Sequence, residues 1–219
     1  MIDARGSRRA IARAYDLYSL LYGRAAARLH REAVSRALMR AAPQAGERVL
    51  EVAVGPGVVH ERLRGRMGAS GFLVGIDLSA GMLRAARRRV RGARLARANA
   101  LELPFPDAQF DLVWAGYLLD LIPTAEMPPL LAEFCRVLRT SGRLALVNLS
   151  RPSGANGLTP WERWYQRTPA FLVPWLFAGC RPVEAEPFVR AAGFGEVERE
   201  LVSEGLDSEV ITARKTATS

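Results

Sequence analysis

VLEVAVGPG, residues 49–57, runs from a strand-like apolar segment straight into a glycine turn. Gly55 and Gly57 let backbone approach a ligand closely and aim N–H groups from the start of the next helix at it. A glycine turn alone can be purely structural. A second apolar run, FLVGID (Phe72–Asp77), ends in Asp77, at the spacing where an acidic side chain meets the two ribose hydroxyls of a nucleotide-containing cofactor. The combination is far more specific than either part.

Around this pair, strand-like runs alternate with helical periods from Arg48 to Ser150, which predicts an α/β fold with a parallel sheet. The spacing places strands at Arg48–Val54, Phe72–Asp77, Arg94–Asn99, Phe110–Ala115 and Arg143–Ser150. Ser79 is the expected cap of a helix whose inner face is Met82, Leu83, Ala86 and Val90 and whose outer face is Arg84, Arg87, Arg88 and Arg91. After Pro128 and Pro129, an amphipathic stripe of Leu130, Leu131, Phe134 and Leu138 is expected to end at Thr140-Ser141-Gly142. The tail predicts a helix over Glu184–Ala192 and an antiparallel pair, VERELV and SEVITARK, at the sheet edge. Ahead of the core, Ile11, Tyr15, Tyr18 and Tyr22 share one helical face. A second helical stretch carries Leu29, Ala33, Ala37 and Leu38.

The length of 219 residues fits one domain, residues 1–219, with N-terminal helices over 1–45 and an aromatic-rich insertion over 151–182. That insertion crowds Trp161, Trp164, Tyr165, Phe171, Trp175 and Phe177 together, and a satellite core and an acceptor-side lid are its two readings. The net charge of +9 comes almost wholly from arginine, since Lys215 is the only lysine; a high-GC codon bias accounts for part of that skew. Cys135 and Cys180 lack CxxC or histidine spacing, so no metal site is expected and a reducing compartment fits. The N-terminal stretch shows no signal-peptide pattern, and a cytoplasmic chain, peripheral to a membrane at most, is the expectation.

The loop chemistry separates the cofactors that suit such a site. After Gly57 come Val58, Val59 and His60, with no third glycine to seat a pyrophosphate. Glu51 would repel a pyrophosphate but attracts the ammonium and sulfonium charges of S-adenosylmethionine. At these residues the sequence resembles the class I S-adenosylmethionine-dependent methyltransferases over nearly its whole length. VLEVAVGPG, GIDLSAGML, NALELPFPDAQFDLVWAGYLL and FCRVLRTSGRLALVN carry the resemblance. It implies a Rossmann-like, seven-stranded, mostly parallel sheet with an antiparallel last strand and helices on both faces. It implies S-adenosylmethionine as cofactor and S-adenosylhomocysteine as product. Glu51, Ala53, Gly55 and Gly57 would then hold the methionine part, Asp77 the ribose, and Leu78 and Met82 the adenine, with Asn99, Ala100 and Ala115 completing the site. Ala53 stands where the family has its first glycine, and Asn99 where it usually has an aspartate.

ELPFPDAQFDLV and AYDLYSLLYG make the chain similar to the quinone-ring and bacterial phospholipid N-methyltransferase branches, which implies a hydrophobic acceptor, either a prenylated ring or a head-group amine of the phosphatidylethanolamine type. Ala115-Gly116-Tyr117 replaces the Asn-Pro-Pro-Tyr of base-amino DNA methyltransferases, so no nucleic acid is expected. Candidate acceptor-side residues are Tyr117, Asp120, Asn148, His60, Tyr15, Tyr18 and Tyr22. Arg5, Arg8, Arg9 and Arg13 beside the tyrosine face also suggest contact with an anionic membrane. The alternative is a non-catalytic Rossmann-like module that binds acidic lipid or nucleic acid through its arginine-rich helices.

Overall fold

Strand β1 (Arg48–Val52) lies between β2 (Phe72–Asp77) and β4 (Phe110–Gly116), parallel to both, with Glu51 level with Gly75 and Trp114. The computed structural model describes residues 2–18, 30–151, 157–203 and 207–216. β3 (Arg94–Arg97), β5 (Leu138–Leu149), β6 (Phe194–Ser203) and β7 (Asp207–Lys215) complete a seven-stranded sheet of order β3-β2-β1-β4-β5-β7-β6. β7 runs antiparallel to β5 and to β6; β1 to β5 are parallel.

The central strands are apolar on both faces because both faces are covered. Leu50, Val52, Val113 and Leu146 pack beneath α5 (Met127–Val137), with Leu130, Leu131 and Phe134 against them. On the opposite face, Val49, Leu112, Trp114 and Val147 meet Ala33, Ala37 and Leu38 of α2 (Arg31–Ala41) and Leu63 and Met67 of α3 (Val58–Met67). Successive residues of β1 thus feed opposite cores, as strand geometry requires. Outside the sheet lie α1 (Arg8–Tyr18), α4 (Ala80–Arg89), α6 (Pro160–Arg167), α7 (Val173–Leu176) and α8 (Glu186–Ala191).

Ser79 caps α4 as expected, its hydroxyl accepting from the Met82 N–H at 3.0 Å, and Met82, Leu83, Ala86 and Val90 are buried while Arg84, Arg87, Arg88 and Arg91 are exposed. Several boundaries differ from the sequence expectation. β1 stops at Val52, because Ala53 turns to φ +59° and leaves the strand. β3 ends at Arg97, and Asn99 forms its own isolated bridge with Glu102. α5 ends at Val137, so Leu138 belongs to β5 rather than to the helical stripe. The Thr140-Ser141-Gly142 break survives as a bulge: pairing jumps from Phe110–Leu138 to Leu112–Arg143, with Ser141 at φ +62°. The tail helix is shorter than predicted, and Tyr22 and Leu29 lie outside the described residues.

Gly57, the N-cap of α3, sits at φ +81°, and a Cβ there would lie 3.0 Å from the Ala86 Cα. Left-handed strain and overpacking therefore add, so Gly57→Ala is expected to cost about 2–4 kcal/mol in urea unfolding. Gly46 has φ +82° but nothing within 4 Å of a new Cβ. Gly46→Ala should cost only about 1–2 kcal/mol, the strain alone. Equal losses in the two variants would refute the packing role of Gly57.

Candidate active site

The carboxyl ends of β1, β2 and β4 open into one crevice, the position where open α/β sheets bind ligands. Ala53 (φ +59°) and Gly55 (φ +53°) swing the chain away from β1, while the Val54 N–H still donates to the Ile76 carbonyl at 2.9 Å. A Cβ on Gly55 would meet nothing closer than the Ala53 carbonyl oxygen at 4.0 Å, so this turn leaves open space beside its backbone. Asp77 joins the two loops. Its Oδ2 accepts from the Gly55 N–H at 2.9 Å and its Oδ1 from the Ser79 N–H at 2.8 Å. The Ser79 hydroxyl in turn donates to Asp16 Oδ1 at 2.6 Å, and the same oxygen accepts from the Gly81 N–H at 2.7 Å. One relay therefore links the glycine turn, the start of α4 and helix α1.

Burial raises the Asp77 carboxyl above its ordinary range; amides of Ser79, Gly55 and Leu78 pull it back and Asp16 pushes it up. Glu51 is raised for the same first reason, against the pull of His60, whose Nδ1 lies 2.7 Å from Glu51 Oε2. Two poorly solvated carboxylates thus share one cavity, Glu51 at its floor and Asp77 at its wall. A bound cation would favour their ionised forms. The donor set fits a sulfonium and ammonium ligand better than a pyrophosphate.

Ala53 and Gly55 line this cavity, as do Leu78 and Met82 beside Asp77 and, opposite them, Asn99 and Ala100. Asn99 Oδ1 already accepts from the Leu101 N–H at 3.2 Å. Gly57 and Ala115 stand off the lining, Gly57 as the helix cap and Ala115 buried in β4. Gly116, next in the strand, lines the cavity instead.

The acceptor-side residues divide. Tyr117 lines the cavity at φ +55°, its phenol 3.1 Å from the Ser208 hydroxyl and its ring 4.1 Å from that of His30. Tyr15 also lines it, with its hydroxyl 3.5 Å from Cys180 Sγ. Tyr18 points elsewhere and donates to the Trp175 carbonyl at 2.5 Å. His60 is displaced from any acceptor-side position by its buried pairing with Glu51. Asp120 is fully buried rather than a solvated loop charge; desolvation holds it well above the usual carboxylate range, while the Leu149 N–H donates to both its oxygens. Asn148 is buried too and donates to Glu209. His60, Asp120 and Asn148 are all off the lining. Sequence reasoning missed Asp16, His30, Arg8 and Arg62; the last three also line the cavity. No local pattern marks them, because each arrives by packing.

The aromatic insertion is likewise placed differently from a lid. Among the described residues, none from 157–181 lines the cavity. Tyr165, Val173 and Phe177 instead form a small core with Ile2, and Arg5 donates to the carbonyls of Tyr165 and Thr168.

Residues 49–142 match a family model described as a methyltransferase domain. A demethylmenaquinone methyltransferase of Symbiobacterium thermophilum is 35% identical over 129 residues, which is 56% of this chain and 49% of that protein. The chain spans about half the length of the curated relatives it matches. Among solved structures, the cyclase SpnF superposes with a TM-score of 0.74 over 99% of this chain and 100% of that one, at 19% identity. Phosphoethanolamine N-methyltransferase 2 of Haemonchus contortus, crystallised with S-adenosyl-L-methionine, gives 0.68 over 85% of this chain and 53% of that one, at 18% identity. At such identities these structures speak for the fold alone, and a cyclase shares it.

Two outcomes test the local physics. Ala53→Gly relieves a left-handed alanine and should stabilise the fold by about 1 kcal/mol in urea unfolding; a destabilised variant would show that the Ala53 methyl matters more than its backbone strain. Burial would raise the Asp16 carboxyl, but hydrogen bonds from Ser79 and Gly81 and the charges of Arg84 and Arg97 hold it below 3.8. Its contribution is therefore present above that value and is lost as pH falls through the lowered one. Melting temperatures of the wild type and Asp16→Asn should differ at neutral pH and converge in acid.

Proposed function

We propose that the chain is a class I S-adenosylmethionine-dependent methyltransferase that transfers a methyl group to a hydrophobic quinol ring, a reading supported by its methyltransferase-domain match and its similarity to a demethylmenaquinone methyltransferase. The observation that carries the donor half is the Asp77 carboxylate fixed between the Gly55 and Ser79 amides at the mouth of a cavity with Glu51 at its floor. S-adenosylmethionine supplies a methyl group already activated by its sulfonium. The chain's task is then alignment and exclusion of water. Asp77 accepts from ribose hydroxyls, Asn99 Oδ1 is an acceptor for the adenine amino group, and Glu51 sets negative charge beneath the donor's cationic end.

On the acceptor half, Ile11, Tyr15, Val34, Trp114, Tyr117 and Leu118 make a wall that suits an aromatic ring with an isoprenoid tail. The similarity to a demethylmenaquinone methyltransferase supports the same choice. His30, tilted against the Tyr117 ring, is the imidazole on that wall and would take the proton that a quinol must lose as its ring accepts a methyl group. Arg8 and Arg62 on the lining favour a second reading, an acceptor with a phosphate such as a phosphatidylethanolamine head group.

The experiment offers the purified protein S-adenosylmethionine with a demethylated naphthoquinol or with phosphatidylethanolamine, and reads the gain of one methyl group by mass spectrometry. Methylated quinol is expected; methylated amine alone would select the second reading. S-adenosylhomocysteine at 100 times its dissociation constant should stabilise the fold by about 2.7 kcal/mol, and Asp77→Ala should abolish that shift. His30→Asn should lower kcat by about 100-fold or more while donor affinity stays unchanged. An unaltered kcat would take the proton role from His30.

A further inference from the structure

The outer surface of the α6–α7 hairpin is aromatic where a free surface would be polar. While Tyr165, Val173 and Phe177 turn inward, Trp164 is 55% exposed, Phe171 70%, Trp175 44% and Leu176 55%, and Leu17 of the neighbouring α1 is 62% exposed. Tyr18 holds the two elements together through the Trp175 carbonyl, and a shallow groove between them is lined by Ala10 and Arg13 from α1 and by Phe171 and Trp175.

The charges on these elements have one sign toward solvent. Arg9 and Arg13 of α1 and Arg163 and Arg167 of α6 are exposed, and none of them forms an ion pair among the described residues. The acids are spent elsewhere. Asp16, i+3 from Arg13, is taken up by the Ser79 hydroxyl and the Gly81 N–H at the start of α4, and Glu162 is fully buried, closing the capping box of α6 with Thr159. Exposed indole, phenyl and leucyl groups flanked by unpaired guanidiniums match the interfacial zone of a bilayer with anionic head groups, where rings settle at the acyl boundary and arginines meet phosphates.

We propose that the α1–α6–α7 face is a docking surface for an anionic lipid bilayer. The opposite face of α1, through Ile11 and Tyr15, lines the cavity, so docking would bring the cavity wall beside the phase in which an isoprenoid acceptor dissolves. The docking itself does not depend on what the acceptor is. Charge complementarity argues for lipid over a protein partner, since among the described residues the exposed arginines of this face have no ion-pair partner and its rings border only a shallow groove.

The test mixes the protein with sedimentable vesicles of phosphatidylcholine alone or with added phosphatidylglycerol, at low and high salt. Cosedimentation should favour the anionic vesicles by at least about tenfold and weaken with salt, and vesicles should blue-shift tryptophan emission. Phe171→Ser combined with Trp175→Ser should reduce partition at least about tenfold, with S-adenosylhomocysteine affinity unchanged and melting temperature little changed, because neither ring belongs to the small core of this segment or lines the cavity. Arg13→Glu with Arg167→Glu should remove the preference for anionic lipid. Three results would overturn the proposal: no binding to either vesicle, binding unaffected by both double variants, or concentration-dependent self-association in light scattering that the aromatic double variant abolishes. The last would show the face covered by a second copy instead.

Discussion

A single half-buried carboxylate holds the crevice together. Adjacent parallel strands release their loops in the same direction, but nothing in strand pairing dictates how those loops meet each other. Asp77 dictates it, with one oxygen for the Gly55 amide and the other for that of Ser79. Burying a charge this way is costly unless it is hydrogen-bonded, and here the compensation comes from backbone donors that would otherwise be orphans at a turn and a helix start. The Ser79 hydroxyl passes the constraint on to Asp16, so the helix that walls the cavity is tethered to the same point. Where Gly81 lies, an added Cβ would come within 2.8 Å of the Asp16 Cα, which shows how closely α1 is drawn onto α4.

Backbone strain gathers around this crevice. Ala53 and Tyr117 adopt left-handed conformations that side chains disfavour, one after β1 and one after β4. Tyr117 is held there by its own N–H, which donates to the Val147 carbonyl at 2.6 Å, and by its phenol against Ser208. Beneath them the Glu51–His60 pair packs across β2, where the His60 ring would lie 3.2 Å from a Cβ on Gly75. The lack of a side chain at Gly75 is what lets the imidazole under the turn.

Away from the donor crevice, buried polar groups serve architecture. Arg181 is fully buried, donating to the Ile122 carbonyl, while its own backbone N–H donates to the Asp120 carbonyl. The Asp120 carboxylate caps the end of β5, and Arg199 pairs with the buried Glu209 across β6 and β7. The Arg181 contacts fasten the end of the 157–181 segment beside the sheet. They leave that segment's remaining aromatics outside both the sheet core and the cavity.

The amino-acid sequence determined what rests on neighbours in the chain. Apolar runs of strand length, the glycine turn, the acid closing β2 and the Ser79 cap were all legible, because strand burial, left-handed turns and capping are decided within a few residues. Of the site, Gly55 and Asp77 were legible as members of local turns, while the hydrogen bond that joins them is a tertiary contact. Tertiary structure decided the rest, because those positions depend on partners far along the chain. Leu138 fits a helical stripe, yet it pairs with Phe110 in the sheet. His60 reads from its position as a base or as a hydrogen-bonded helix residue, and only the contact with Glu51 of another element decides for the second. Asp120 looks like a loop charge, yet β5 closes over it. His30 carries no motif at all, and only the packing of α2 over β5 and β7 brings its ring to Tyr117. Periodicity reports which side of an element is apolar; which distant group meets that side is fixed only when the layers pack.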